Sequence, residues 1–147
     1  MAKETKTEAL TAEEAAKQYT NSLVEKALKA EKVYATYTQE QVDKIVAAMA
    51  LAGSEASLQL AKEAHEETGR GVVEDKDTKN HFATEYVYER IKNEKTVGII
   101  GEDKVAGSIE IAAPLGVLAG IVPTTNPTST TMFKSLIALK TRNPIVF

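Results

Sequence analysis

Three small polar residues, Thr124, Thr125 and Asn126, lie between an apolar run and an amphipathic segment. The run at 117–122 is almost wholly apolar, which is typical of a strand buried on both faces. Pro123 ends this strand because proline has no N–H group to donate to a sheet. The three residues are thus predicted at the carboxyl end of a strand and the start of a helix. In open α/β sheets, free backbone N–H groups meet polar or anionic ligands at that place.

A plainer interpretation of the same turn stays open, because every βαβ unit needs residues that reverse the chain and cap the helix. Asn126 suits the N-cap position and Pro127 the first helical position. No Gly-x-Gly-x-x-Gly pattern follows the strand, so the usual dinucleotide fingerprint is absent. Ligand contact and simple capping are therefore the two hypotheses for this turn.

The segments around the turn predict a βαβ unit over about 116–147, with a right-handed crossover. The break at 141–144 ends the helix, and a second buried strand begins at 145–147. Such a strand would have an unpaired apolar edge, so the chain is expected to be a fragment of a longer protein. The helix carries one mostly apolar stripe, which comprises Met132, Phe133, Leu136, Ile137 and Lys140.

The part before the βαβ unit predicts four helices and then a β-hairpin. Residues 1–10 are polar and lack periodicity, so they are predicted to be disordered. The helices occupy about 12–92: from Ala12 to Lys32, from the capping box at Thr38 to near Gly53, from Glu55 to Thr68, and from Asp75 to Lys92. Period-two alternation predicts the hairpin at about 96–113.

Three details of the helices are specific enough to be tested. Ser54 is predicted to cap the third helix, and Phe82, Tyr86 and Ile91 are predicted to pack inward from the fourth. His81 lies beside that inward face. A lone histidine there is interpreted as a hydrogen-bonded packing residue.

Composition excludes several classes of function. The chain of 147 residues has room for one domain, and its 43% apolar content suits a soluble globular protein. A net charge of −3 argues against nucleic-acid and anionic-membrane partners. No run is long enough to span a membrane and no secretory signal begins the chain, so a cytoplasmic location is expected. Without cysteine, and with only two histidines, no metal site is predicted.

Four stretches of sequence resemble one family. They are GIVPTTNPTST (120–130), FKSLIALKTRNPIVF (133–147), YTQEQVDKIV (37–46) and VEDKDTKNHFATEYVY (73–88). In this order they resemble the opening part of the CoA-acylating aldehyde dehydrogenase half of bifunctional aldehyde-alcohol dehydrogenases. The resemblance extends from about Thr38 to Phe147.

The resemblance implies an α/β fold. The helices, the β-hairpin and the βαβ unit would form the first part of an aldehyde dehydrogenase Rossmann-like coenzyme domain, incomplete over 11–147. It implies reduction of acetyl-CoA to acetaldehyde with NADH, with CoA as a substrate. The missing alcohol dehydrogenase half would then make ethanol with iron or zinc. The implied protein is a homo-oligomer, with filaments as an option, and the hairpin is either a subunit contact or a cover for its own sheet.

The resemblance also assigns the site. It places Ile121, Val122, Pro123, Thr124, Thr125 and Asn126 along the NAD site, near the nicotinamide and its ribose. The family's catalytic nucleophile is a cysteine, so no catalytic residue is expected among these 147 residues. The spacing between the two prolines puts Thr125 at the position of the asparagine that binds the oxyanion in the family, whereas Asn126 has the matching side chain. For Asn126 we prefer the hypothesis of cofactor contact or helix capping.

Two alternatives to the bifunctional enzyme remain. One is a single-function CoA-acylating aldehyde dehydrogenase, which acts on acyl-CoA without an alcohol dehydrogenase half. The other is a non-catalytic remnant that acts only in binding or assembly, and the missing cysteine is what that hypothesis predicts.

Overall fold

The computed structural model describes residues 11–147, and the prediction of disorder at 1–10 lies outside this range. The helical part comes first along the chain. Its elements are α1 (Ala12–Tyr34), α2 (Gln39–Glu55), α3 (Ser57–Thr68), α4 (Val73–His81), a π-helical turn (Phe82–Tyr86) and α5 (Val87–Ile91). The second part contains β1 (Gly98–Asp103), β2 (Ser108–Ala112), β3 (Leu118–Ala119), α6 (Pro127–Lys140) and β4 (Ile145–Val146).

The first two helices begin at capping boxes, as predicted. The backbone N–H of Glu14 donates to Thr11 Oγ1 at 3.3 Å, and the backbone N–H of Thr11 donates to Glu14 Oε2 at 2.9 Å. Thr38 and Gln41 repeat the arrangement at the start of α2. Each box satisfies N–H groups that have no partner inside the helix.

The predicted cap of the third helix is wrong. Ser54 lies inside α2, and α3 begins only after Ala56, which makes no side-chain capping bond. The Ser54 hydroxyl instead donates to Glu85 Oε1 at 2.6 Å. The hydroxyl that the local sequence assigned to a helix cap therefore binds a residue that is distant in sequence. The predicted end of α3 is confirmed, since Gly69 adopts the left-handed conformation with φ 62°.

The core lies between α2 and α6. Val42, Val46 and Ala50 of α2 cluster with Leu136 of α6, and all four side chains are buried. In the predicted stripe of α6, Met132, Leu136 and Lys140 are buried and Phe133 is half-buried. Ile137 lies at the edge of the stripe and is 44% exposed.

The fourth predicted helix is continuous from Val73 to Ile91 but contains the π-helical turn. Ile91 packs against the core as predicted, whereas the prediction for Phe82 and Tyr86 is wrong. Phe82 and Tyr86 are 61% and 67% exposed and stack on each other, while Ala83 and Thr84 face the core. The reason is the close approach of α2, where a Cβ on Gly53 would lie 2.7 Å from Thr84 Cγ2. Only small side chains fit at such a contact, so the aromatic rings lie outside.

Two separate pairs of strands are present in residues 11–147. The hairpin β1–β2 is antiparallel, with an irregularity between Ile99 and Gly101, and β3 pairs in parallel with β4. The predicted βαβ unit is therefore confirmed as β3–α6–β4. The predicted strand at 117–122 is wrong in extent and burial, since only Leu118–Ala119 is a strand and Ile121 is 80% exposed. In the described chain β3 pairs only with β4, and the segment leaves the sheet after the Gly120 N–H donates to Val146 O at 2.7 Å.

The turn between α6 and β4 ties the βαβ unit to the rest of the fold. Arg142 adopts a positive φ of 59°, and its guanidinium donates to the carbonyl oxygens of Ala35 and Ala112. Asn143 Oδ1 accepts the backbone N–H groups of Leu115 and Gly116 at 2.6 and 3.1 Å. These bonds fix the entry to β3, and hence the place where the polar turn follows it. No helix in residues 11–147 is both long and apolar enough to cross a membrane.

Candidate functional site

The polar turn lies where it was predicted, between β3 and the start of α6. The Asn126 backbone N–H donates to Pro123 O at 3.2 Å, which closes the turn, and Pro127 is the first residue of the helix. Asn126 occupies the N-cap position, but its side chain makes no capping hydrogen bond. The capping hypothesis therefore accounts for the position of Asn126 and not for its amide group.

The Asn126 side chain is held by α4 instead. Lys79 Nζ donates to Asn126 Oδ1 at 3.1 Å. Asn126 Nδ2 lies 3.4 Å from Thr125 Oγ1, at the long limit of a hydrogen bond. The amide oxygen is thus occupied by a cation, and the amide N–H groups face the turn.

The neighbouring residue is held through its backbone. Lys76 Nζ donates to the carbonyl oxygen of Thr125 at 3.1 Å, and only 5% of Lys76 is exposed. Burying an ammonium group is costly unless it is hydrogen-bonded. The carbonyl oxygen of Thr125 is such a partner. The hydrogen bond therefore holds both the backbone of the turn and the buried ammonium group of Lys76 in place.

A third contact reaches the first turn of α6. Thr128 Oγ1 donates to Asn80 Oδ1 at 2.7 Å, and Asn80 Nδ2 donates to Ser57 O at 3.0 Å. Asn80 is fully buried. Thr84 Oγ1 also donates to Asn80 O at 2.8 Å, which links the π-helical turn to the same network.

The predicted cofactor residues are brought together and are accessible. Ile121, Pro123, Thr124 and Thr125 are exposed, Val122 is 37% exposed and Asn126 is half-buried. On the other side of the turn, Lys134 Nζ donates to Ile121 O at 2.8 Å. Hydroxyl, amide and apolar groups therefore lie on one accessible surface at the end of β3.

A cavity of about 570 Å³ adjoins the turn, and the sequence did not reveal it. Asn126 belongs to both the turn and the cavity wall. The remaining lining residues come from α4, the π-helical turn, α5 and α6: Thr78, Lys79, Phe82, Ala83, Val87, Ser129, Thr130 and Phe133. The exposed Phe82 and the half-buried Phe133 both line this opening.

A second polar cluster surrounds His81, whose predicted hydrogen-bonded role the structure supports. His81 Nδ1 lies 2.8 Å from Glu85 Oε1 and 3.3 Å from Ser54 Oγ. Because a carboxylate only accepts, the ring must donate from Nδ1 to Glu85. The hydrogen bond from Ser54, followed by that from His81, lowers the pKa of Glu85 below its usual value. These hydrogen bonds join α2 to α4 and the π-helical turn. Among residues 11–147 no group of three or more histidine, cysteine or carboxylate side chains could hold a metal ion.

The model of the aldehyde dehydrogenase family matches residues 2–147, and the chain belongs to that family. It is 60% identical, over 127 residues, to the bifunctional aldehyde-alcohol dehydrogenase AdhE of Escherichia coli K12. It is 56% identical, over 118 residues, to an aldehyde-alcohol dehydrogenase of Clostridium acetobutylicum. The matches cover 86% and 80% of this chain, and the chain spans 14% of the length of either relative.

Solved structures agree with these relatives. An acetylating aldehyde dehydrogenase from Geobacillus thermoglucosidasius superposes with a TM-score of 0.87 at 52% identity, covering 88% of this chain and 29% of that one. A probable aldehyde dehydrogenase from Listeria monocytogenes gives 0.86 at 51% identity, with the same coverage. The predicted resemblance to the aldehyde dehydrogenase region of bifunctional enzymes is confirmed, as is the α/β class with a hairpin and a parallel βαβ unit.

Proposed function

We propose that this chain is the first part of the coenzyme domain of a CoA-acylating aldehyde dehydrogenase that belongs to a bifunctional aldehyde-alcohol dehydrogenase. The reaction is reduction of acetyl-CoA to acetaldehyde with NADH, followed by reduction to ethanol in a second half that carries iron or zinc. The observation that carries the proposal is the level of sequence identity to aldehyde-alcohol dehydrogenases, compared with that to other acylating enzymes. Identity is 53–62% to six aldehyde-alcohol dehydrogenases and 52% to the acetylating aldehyde dehydrogenase of Geobacillus thermoglucosidasius, but 43% to a succinate-semialdehyde dehydrogenase (acetylating).

In this proposal the surface at 121–126 contacts the nicotinamide end of NAD. Its chemistry suits that role, because the cofactor's carboxamide and ribose hydroxyls are neutral hydrogen-bonding groups. Thr124 and Thr125 offer exposed hydroxyls, and Asn126 offers amide N–H groups beside the open cavity. When bound, NADH supplies the hydride, and the residues of this chain orient its nicotinamide.

The nucleophile comes from outside these 147 residues, which contain no cysteine. A thiolate would attack the carbonyl carbon of acetyl-CoA and expel CoA as its thiolate, and hydride would then reduce the resulting acyl-thioester. The chain by itself is therefore proposed to bind and orient without turnover.

The hairpin is proposed as a subunit contact of a cytoplasmic homo-oligomer. Ile99, Ile109 and Ile111 are 51%, 56% and 67% exposed on this two-stranded element. Apolar side chains on a hairpin without a covering layer favour contact with a partner over a purely internal role.

The test is an assay of the complete product of the reading frame that encodes these residues. We expect NADH oxidation with acetyl-CoA and also with acetaldehyde, and no oxidation above background with the 147-residue chain alone. Oxidation with acetyl-CoA but not acetaldehyde would identify the single-function enzyme. Absence of both activities from a folded product would favour the non-catalytic remnant and refute the proposal.

A further inference from the structure

One face of α4 carries three polar side chains, each of which contacts a residue at or beside the turn. Lys76, Lys79 and Asn80 are spaced i, i+3 and i+4, so they share one side of the helix. Their partners are the carbonyl oxygen of Thr125, the amide oxygen of Asn126 and the hydroxyl of Thr128. The helix thus holds three nearby positions of the βαβ unit.

We propose that Lys76 and Lys79 are positioning residues for NADH use, and that Lys79 makes the Asn126 side chain a hydrogen-bond donor to a carbonyl oxygen. The inference rests on the proposed function, because it concerns the same surface. Neither lysine is proposed to touch the reacting atoms.

The donor role follows from the chemistry of the pair. An ammonium group has three N–H donors and no acceptor, so Lys79 can bind only the oxygen of the amide. Because Lys79 holds Oδ1 at 3.1 Å, the orientation of the amide is fixed, and the N–H donors of Nδ2 lie on the side away from the lysine. Nδ2 is only 3.4 Å from Thr125 Oγ1, a weak contact that a carbonyl oxygen of a ligand can replace. That oxygen belongs either to the nicotinamide carboxamide or to the acyl group in the adjoining cavity.

Lys76 acts on the backbone of the same turn. Its ammonium group is buried and donates to Thr125 O at 3.1 Å. The carbonyl of Thr125 is therefore fixed directly before the residue whose amide Lys79 orients. Together the lysines set both the path of the chain and the rotation of the Asn126 side chain.

The Lys79 contact lies at the surface, which separates its positioning role from stability. Exposed polar contacts contribute little to the free energy of unfolding. Lys79→Met keeps most of the apolar stem and removes the donor, so the melting temperature should stay within about 2 °C of wild type. A change in cofactor or substrate use would then arise from the orientation of Asn126.

The experiment measures steady-state kinetics with acetyl-CoA and NADH on the complete product of the reading frame. The variants are Lys79→Met, Lys79→Arg, Asn126→Ala and the double variant Lys79→Met/Asn126→Ala. Lys44→Met is the matched control, because Lys44 pairs with the exposed Glu40 in the preceding helical turn, away from the polar turn. The kinetics and the melting temperature of Lys76→Met are measured in parallel.

For Lys79→Met we expect kcat/KM for NADH to fall about three- to tenfold, the effect of losing one oriented neutral hydrogen bond. A rise in KM at constant kcat assigns the carbonyl oxygen to the cofactor, and a fall in kcat assigns it to the acyl group. Lys79→Arg should restore kcat/KM to within about twofold, because arginine also donates only. The Lys79→Met change should disappear in the Asn126→Ala background, since the two residues act through one contact.

The inference is overturned if Lys79→Met resembles Lys44→Met, or if its effect persists in full without the Asn126 side chain. A second measurement does not depend on activity. In the NMR spectrum of the isotope-labelled 147-residue chain, Lys79→Met should shift the side-chain amide resonances of Asn126, and Lys44→Met should not. An inactive wild-type product would refute the proposed function, whereas the spectra would still decide whether Lys79 orients Asn126.

Discussion

Replacing Gly53 by alanine should destabilise the protein, although alanine is the better helix former. The glycine lies in α2, where an added Cβ would be 2.7 Å from Thr84 Cγ2. Thr84 is 1% exposed, and its hydroxyl donates to Asn80 O at 2.8 Å. The threonine therefore cannot rotate its methyl group away without breaking a buried hydrogen bond.

Two opposing effects set the magnitude. Alanine gains about 0.8–1.0 kcal/mol over glycine inside a helix. Overpacking a close contact costs about 1–3 kcal/mol. The net loss for Gly53→Ala is then roughly 0–2 kcal/mol, the difference of these two ranges.

The matched background is Thr84→Ser, which removes the clashing methyl group and keeps the hydroxyl bond to Asn80. In that background Gly53→Ala should stabilise by up to about 1 kcal/mol, because only the gain in helix propensity remains. Urea unfolding followed by circular dichroism measures all four proteins. The reasoning is refuted if Gly53→Ala is stabilising with Thr84 present, or has the same effect in both backgrounds.

Three further predictions concern the core and two titrating groups. Leu136→Ala should lower the free energy of unfolding by about 2–5 kcal/mol, since this side chain is 1% exposed; a loss under about 1 kcal/mol in urea unfolding would contradict the described core. Ser54→Ala should raise the pKa of Glu85, because the serine hydroxyl is the main cause of its lowered value; an unchanged NMR titration would argue against this contact. Burial raises the pKa of Tyr34, whose hydroxyl donates to Leu139 O at 3.1 Å. The protonated hydroxyl therefore stabilises the folded protein fully below the pKa of the unfolded state, near 10, and this stabilisation is lost as the pH rises through the pKa of the folded state. Tyr34→Phe should reduce this alkaline loss of stability in pH-dependent unfolding, and an identical pH profile would count against it.

Local sequence signals predicted the elements that depend on neighbouring residues. The capping boxes at Thr11 and Thr38 depend on residues three positions away, and both formed as expected. Pro127 and Gly69 also act through their own backbone geometry, and they begin α6 and end α3. These local structures form as predicted because no tertiary contact competes for the groups that make them.

The errors arose where a distant part of the chain changed the local preference. Ser54 could have capped a helix, but Glu85, 31 residues away, accepts its hydroxyl. Phe82 has the spacing of a buried residue, but the contact of Gly53 with Thr84 leaves space only for small side chains at that interface.

The positioning contacts of the candidate site could not be predicted for the same reason. Lys76 and Lys79 lie 49 and 47 residues from their partners in the turn, so no local pattern joins them. Their i, i+3 spacing was visible in the sequence, but lysines on a helix are usually solvent-exposed. The burial of Lys76 is what distinguishes it, and burial is a property of the fold.

The central claim is that the turn at 124–126 contacts the nicotinamide cofactor. Thr125→Ala and Asn126→Ala, made in the complete product of the reading frame, test it most directly in NADH titrations of the acetyl-CoA reaction. We predict that the KM for NADH rises about two- to twelvefold with folding intact, the effect of one lost neutral hydrogen bond of roughly 0.5–1.5 kcal/mol. A fall in kcat on the order of a hundredfold or more, about 2.7–4 kcal/mol, would instead assign the altered residue to the oxyanion. If both variants change only the melting temperature, the turn is a helix cap and the claim is wrong.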